Sequence, residues 1–348
     1  MSDTSFTLSP KIQRLTVPLF LVLLFIFLVG ASQLGLFDLY IQSVLMFMGI
    51  NIILAVSLNI VNGYMGEFAC GHAGFMAVGA YVASLLSVWL FADDRVLGPA
   101  LLSPEWAVVL FPFVIIIGGI AASITGLLVA LPSFRTRDDY LAIITIAANY
   151  IITATIINLN AVGGSRGFMG MKTTIFNMEE VLYIPYNLIW IFVFTVLTIF
   201  MVWRFISSTY GRGIIAIKQD EIAAEIMSVN TNKMKVIAFM LSAGLAGIAG
   251  GLYAHVLGYV NPGSFSILKS TEVLVMVYLA GMGTISGSIL SAILFTILLE
   301  LLRPFGIVKW VLIPLLLILL MQFRSEGLMG DRELSDVFPG LRKYYKLR

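Results

Sequence analysis

Apolar runs of about the length needed to cross a bilayer follow one another along this chain: Val17–Leu36, Leu39–Val61, Cys70–Phe91, Trp106–Leu131, Tyr140–Asn158, Asn187–Phe205 and Val236–Leu257. A longer apolar region covers Glu272–Leu302, and a last run covers Pro304–Phe323. A membrane helix needs roughly 20 mostly apolar residues. Inside hydrocarbon no water can satisfy a backbone N–H or C=O, so each run has to close its own hydrogen bonds as a helix. No alternating pattern suited to a barrel is present. Only 11% of the residues are charged, against about 25% in soluble domains, too few to cover a globule in water. The sequence therefore predicts an all-α polytopic membrane helix bundle, with the lipid bilayer as its solvent.

Cations set the expected orientation. Lys11 and Arg14 precede the first run, and an uncleaved first helix is expected in place of a signal peptide. Arg135 and Arg137 lie in the loop Pro132–Asp139. Arg204, Arg212, Lys218, Lys233 and Lys235 lie in and beside the polar loop 208–235, and Arg324, Arg332, Arg342, Lys343, Lys346 and Arg348 in the tail. All four groups are expected in the cytoplasm. The loop Ala92–Glu105 has one cation, Arg95, among acids, and Ala161–Tyr186 has two. Parity then bears on Glu272–Leu302: a single crossing would leave the basic tail outside. "GMGTISGS" at Gly281–Ser288 can break a helix, so two short or re-entrant passes are expected and about ten transmembrane segments in all. The organisation expected is a cytoplasmic N-terminus (1–16), a transmembrane domain (17–323) with a cytoplasmic loop at 208–235, and a cytoplasmic tail (324–348).

Chemistry is sparse. The net charge of +2 gives no reason to expect nucleic acid. One cysteine, Cys70, and two histidines, His72 and His255, leave little for a metal or hydrolytic site, and no cofactor is expected. No G-x-x-x-x-G-K-[ST] cradle is present, so ATP hydrolysis is not expected of this chain. Within the polar loop, "DEIAAEIMSVN" can form a short helix capped by Asp220. Ile222, Ile226 and Val229 would share one face, while Glu221 and Glu225 suit the N-terminal turn. Such a helix fits either a partner's groove or the bilayer surface. "SAGLAGIAGGLYA" at Ser242–Ala254 has two small-residue faces, Ala243/Gly247/Gly251 and Ala246/Gly250/Ala254. They allow tight packing within the subunit, or a pathway wall or subunit contact. Glu67 and His72, at a span entrance, and Asn59, Asn62 and Asn149 are more often structural hydrogen-bonding groups than ligands.

Several stretches, in order, resemble the M-type permease of branched-chain amino acid ABC importers: "NIVNGYMGEFACGHAGFMAVGAYVASLL" (Asn59–Leu86), "YLAIITIAANYII", "VGGSRGFMG", "DEIAAEIMSVN", "AFMLSAGLAGIAGGLYA" and "FRSEGLMG". The likeness runs from about Leu15 to Gly330. Two departures are Ser228, where the family often has Gly, and Cys70, where it often has Ser. The resemblance implies a bacterial inner-membrane complex of ABC importer type: a second paralogous permease subunit, two cytoplasmic ABC ATPase subunits and a periplasmic substrate-binding protein. It implies that Glu221, Ile222, Ala223, Ala224 and Ile226 couple the permease to an ATPase. Substrate residues stay unassigned, and the cargo could be a branched-chain amino acid, urea or a short amide. A lone secondary transporter would need intramembrane carboxylates, and the sequence offers Glu300 with Arg303 nearby. A membrane enzyme would need a convergent nucleophile, acid and base.

Overall fold

The computed structural model describes residues 10–92, 98–134, 140–182 and 184–308, then 311–312, 314–315, 318, 322, 327–330 and 333. The loop carrying Arg95, the loop with Arg135 and Arg137, the tail cations and most of the run Pro304–Phe323 fall outside the described residues. The helices are α1 (Pro10–Gln33), α2 (Leu39–Asn59), α3 (His72–Phe91), α4 (Pro104–Ser133), α5 (Tyr140–Asn158), α6 (Met171–Leu182), α7 (Tyr186–Ile206), α8 (Thr209–Gln219), α9 (Glu221–Ile226), α10 (Thr231–Leu257), α11 (Ile267–Ala280) and α12 (Ile285–Leu301). Among the described residues, six are long and apolar enough to cross a membrane: α2 to α5, α7 and α10. They coincide with expected runs to within a few residues at each end. The protein is an all-α polytopic membrane helix bundle.

Three features depart from the sequence reading or refine it. The region read as a loop at Ala161–Tyr186 contains helix α6 and a two-residue strand, β1 (Phe168–Met169), paired antiparallel with β2 (Tyr259–Val260). The loop 208–235 holds two helices, α8 and α9, where one was expected. The region Glu272–Leu302 is indeed two short helices with a break at Gly281–Thr284, and α11 starts earlier, at Ile267. With 14 residues in α11, about 21 Å of helix, that helix falls short of a full crossing. It is fed by β2 and a 3-10 turn, Pro262–Phe265, that fold back against α3.

Helix directions follow from contacts at opposite ends. Tyr40, at the start of α2, donates to Glu300 at the end of α12. At the other end of α2, Asn59 Nδ2 donates to Thr284 O at 2.9 Å, just before α12. The two helices are therefore antiparallel. Helix α2 runs on into a π-helical turn, Ile60–Met65, which stops at Gly66 in the left-handed region, φ 78°. The chain then re-enters the bundle, and α3 begins at His72, whose Nε2 is 2.8 Å from Ser57 Oγ.

Helix α10 forms the centre, packed between α3 and α4 with α2 alongside. The small faces expected on α10 set this packing. A Cβ on Gly250 would fall 1.9 Å from Met76 O of α3, and one on Gly247 would fall 2.3 Å from Ala122 Cβ of α4. The small residues are thus used for tight packing within the subunit. Gly250→Ala is expected to cost about 1–3 kcal/mol by overpacking against backbone. Gly30, with open space around it, is the control, and Gly30→Ala should be tolerated. Thermal unfolding of the two detergent-solubilised variants, monitored side by side, checks the contrast.

Candidate functional site

The polar loop is built by three successive caps. Ser208 Oγ accepts from Gly211 N at 3.4 Å and starts α8. Asp220 Oδ1 accepts from Ala223 N at 2.9 Å and starts α9. Asn230 Oδ1 accepts from Lys233 N at 3.0 Å and starts α10. Each side chain satisfies an N-terminal amide that has no carbonyl within the helix. Helix α8 buries Gly211, Gly213, Ile214 and Ile217. Helix α9 closes with Val229 N bonded to Ala224 O at 3.0 Å and Ser228 N to Glu225 O at 2.9 Å. Ser228 there has φ 64°, the one positive φ outside glycine among the described residues. A Cβ in this conformation costs roughly 1–2 kcal/mol, which explains why glycine suits the position.

The expected coupling residues divide between two faces. Ile222 is 72% exposed and Ile226 is 78% exposed, and Met227 joins them at 78%. Ala223 is exposed as well, whereas Val229 is half-buried because the helix stops before it. Ala224 is buried by the chain itself. It follows Glu221 by three residues, on the face turned to the bundle, so it cannot also lie open to a partner. The free apolar surface is Ile222, Ile226 and Met227.

Glu221 meets a basic group of its own chain. Lys235 Nζ, on the first turn of α10, lies 2.8 Å from Glu221 and 2.7 Å from Glu67. The lysine is buried and draws together α9, α10 and the segment between α2 and α3. A second lysine acts nearby: Lys218 Nζ of α8 donates to Gly63 O in the π turn of α2 at 2.9 Å. Gly63 lies against Gly283 in the break between α11 and α12. There Gly283 N donates to Asn59 Oδ1 at 3.0 Å, Leu328 N donates to Leu279 O at 2.9 Å, and the buried Glu333 accepts from Ile285 N at 3.0 Å and from Ser286 N at 3.2 Å. Loop, helix break and the start of the tail therefore meet at one end of the bundle.

Asn59 joins helices as expected. Asn62 closes the re-entrant segment on Ala69, and His72 is held by Ser57. Asn149 differs: neither its Oδ1 nor its Nδ2 has a partner, although the residue is buried. Glu300 pairs with Arg303 at 3.0 Å. It is not the lone acid inside an apolar stretch, because Glu272 lies within α11, 2.8 Å from Lys269. In the sequence, Lys218 and Lys235 mark only sidedness, and Glu333 and Lys269 carry no assigned role. Only the i, i+3 spacing of Lys269 and Glu272 was a local signal; the others act across long sequence separations. Among the described residues no group of three His, Cys, Asp or Glu side chains is placed to hold a metal.

Comparison with known proteins bears directly on this loop and bundle. Residues 40–323 match the family described as branched-chain amino acid transport system / permease component. The chain is 32% identical, over 80% of its length and 68% of the other, to the high-affinity branched-chain amino acid transport system permease protein LivM of Escherichia coli K12. A probable branched-chain amino acid transport permease protein LivM of Methanocaldococcus jannaschii is 23% identical over 87% of this chain and 96% of that one. The high-affinity branched-chain amino acid transport system permease protein LivH of Salmonella typhimurium is 24% identical over 82% and 92%. No solved structure matches the chain.

Two substitutions separate backbone strain from charge. Ser228→Gly should raise stability by about 1 kcal/mol, since the loop keeps its shape and loses the Cβ clash. Lys235→Met should lower it by about 3 kcal/mol, because Glu67 and Glu221 are then left facing each other without their shared cation. Thermal unfolding with Lys235→Arg as the charge-keeping control reads both signs.

Proposed function

The chain belongs to the family of branched-chain amino acid transport permeases, and from that premise we infer that it forms part of the translocation pathway for branched-chain amino acids in an ABC importer. Separate ATPase subunits energise it; the chain itself is a transport permease, not an enzyme. The observation that carries the coupling role is the exposed trio Ile222, Ile226 and Met227 on a loop bolted to the bundle by two lysines. Three large apolar side chains side by side on a short polar helix fit an apolar groove in a protein partner. The anchors Lys235 and Lys218 give a displacement of α9 a stiff route to Glu67 and Gly63. In this reading Glu221 and Ala224 belong to the coupling residues as anchors, and Ile222, Ala223 and Ile226 as the docking face.

The assembly proposed has this chain paired with a second, paralogous permease. Two cytoplasmic ABC ATPase subunits lie below the pair, and a periplasmic binding protein delivers the solute. It sits in the bacterial inner membrane with both termini cytoplasmic: residues 1–16 and 324–348 flank the transmembrane domain 17–323, and the loop 208–235 projects to the ATPases. Support for the tail's sidedness is its start, where Leu328 and Glu333 bond to the helix break beside Lys218.

Replacing Ile222 and Ile226 by Asp changes two largely exposed side chains, so the protein should reach the membrane at normal levels. ATPase subunits should no longer co-purify with it, and uptake in reconstituted vesicles should fall with them. Full uptake by this variant would overturn the docking role. A thiol placed at Leu341 in a Cys70→Ser background should escape impermeant reagents in intact cells and react after lysis. Labelling of intact cells would put the tail outside.

A further inference from the structure

An ion pair lies within the bundle, away from the loop. Lys269 Nζ is 2.8 Å from Glu272 Oε2, and the side chains are 17% and 12% exposed. Its neighbours tie it to α2. Ser270 Oγ accepts from Ala73 N at 3.0 Å, beside His72, which bonds Ser57. Ser57 is two residues before Asn59, the end of α2, and eight before Met65, the end of the π turn. From the other side, Lys269 Nζ lies 5.8 Å from the ring centroid of Tyr253, and Tyr253 stacks on Phe47 at 5.9 Å. Phe47 is eight residues past Leu39, the start of α2, about 12 Å along the helix. The pair is therefore linked to α2 at two levels, Phe47 in its first half and Ser57 near its end.

Such a pair needs a reason. An i, i+3 pair within one helix adds only about 0.2–0.5 kcal/mol to that helix, while burying each charge costs several kcal/mol. Ionisable residues inside a membrane bundle mark pathways for substrates or ions. What lies beside the charges narrows the ligand. Tyr253 contacts Phe265 at 6.0 Å between centroids, and Phe265 contacts Tyr81 at 6.5 Å. The result is one cation and one anion next to an aromatic wall.

We propose that Lys269 and Glu272, beside Tyr253 and Phe265, form a transient binding site for the zwitterionic head of an α-amino acid with an apolar side chain. Lys269 takes the α-carboxylate and Glu272 the α-ammonium, while the aliphatic part lies along the aromatic wall. The inference rests on the proposed transport function and adds to it the residues and the ligand's charge pattern. The empty site neutralises itself, so no lone charge is left in the bundle when the solute departs. The loaded site holds two matched pairs, so no net charge is added. Because the ligand must first separate a 2.8 Å pair, binding is weak, as passage demands. Urea, which carries no charges, has no such exchange to make.

The test is uptake of a branched-chain amino acid by the whole reconstituted complex, with co-purification of subunits measured alongside. Lys269→Gln with Glu272→Gln removes both charges and strands neither. Lys269→Glu with Glu272→Lys keeps an ion pair, and with it any contribution to the fold, but reverses its polarity against the aromatic wall. Both double variants should assemble with the other subunits at native stoichiometry, yet take up the amino acid about tenfold or more slowly. Wild-type uptake by either one overturns the assignment while leaving the transport function standing. A native complex that carries no branched-chain amino acid defeats the transport function and the assignment together.

Discussion

In hydrocarbon a backbone amide has no water to turn to, and among the described residues three interruptions of the helices are closed by hydrogen bonds. Each interruption is closed by particular side chains. The re-entrant segment before α3 is held by Asn62 on Ala69, by Thr145 on Cys70 N and by Ser270 on Ala73 N. The break between α11 and α12 is held by Asn59 on Gly283 and Thr284 and by Glu333 on the first amides of α12. The fold-back after α10 uses the β1–β2 pairing and Asn261 on Gly263 N. A substitution at any of these side chains exposes backbone as well as removing a side chain.

The same places receive the polar loop. Lys218 reaches the π turn beside the α11–α12 break, and Lys235 reaches Glu67 in the re-entrant segment. A regular helix resists bending because each residue is bonded to the next turn; a π turn or a break lacks that continuity. On the transport reading, a load on α9 is delivered where the bundle is least regular. The central sandwich of α3, α4 and α10 is the opposite case. Gly79, Gly247 and Gly250 bring backbones so close that no Cβ fits between them, and such packing has one arrangement. The structure thus separates a tightly packed core from the helix interruptions that receive the loop.

Much of this was legible in the sequence, and what was missed has a common cause. The apolar runs gave the long helices because length and hydrophobicity are local properties. The break at "GMGT" was legible from its glycines, and Asp220 from its place before a helical stretch. Ser228 stood out as a departure from glycine, and its φ of 64° shows the physical reason. Helix α8 was missed because Gly211 and Gly213 weaken the helical signal, and those glycines are buried where Gly213 meets Met234. The burial of Ala224 was not legible, because helical spacing alone fixes which residues share a face, not which face turns inward. That depends on Glu221 finding Lys235, fourteen positions away. Lys269 and Glu272 looked like the polar edge of an apolar run until the fold-back carried that edge into the bundle.

Helix α11 differs from its neighbours in what holds it. It is 14 residues long, begins at a fold-back and ends at a glycine break. Near its start Ser270 Oγ accepts from Ala73 N of α3, and just past its end Asn59 accepts from Gly283 N and Glu333 from Ile285 N of α12. The ion pair of Lys269 and Glu272 stands on α11, and the ring of Tyr253 that Lys269 approaches stands on α10. A relative motion of α11 against α10 therefore changes the distance between the charges and the aromatic wall. The break that would permit that motion is the one Lys218 approaches from the loop, so on the transport reading a single chain of contacts links the docking face to the site at which a solute would be held.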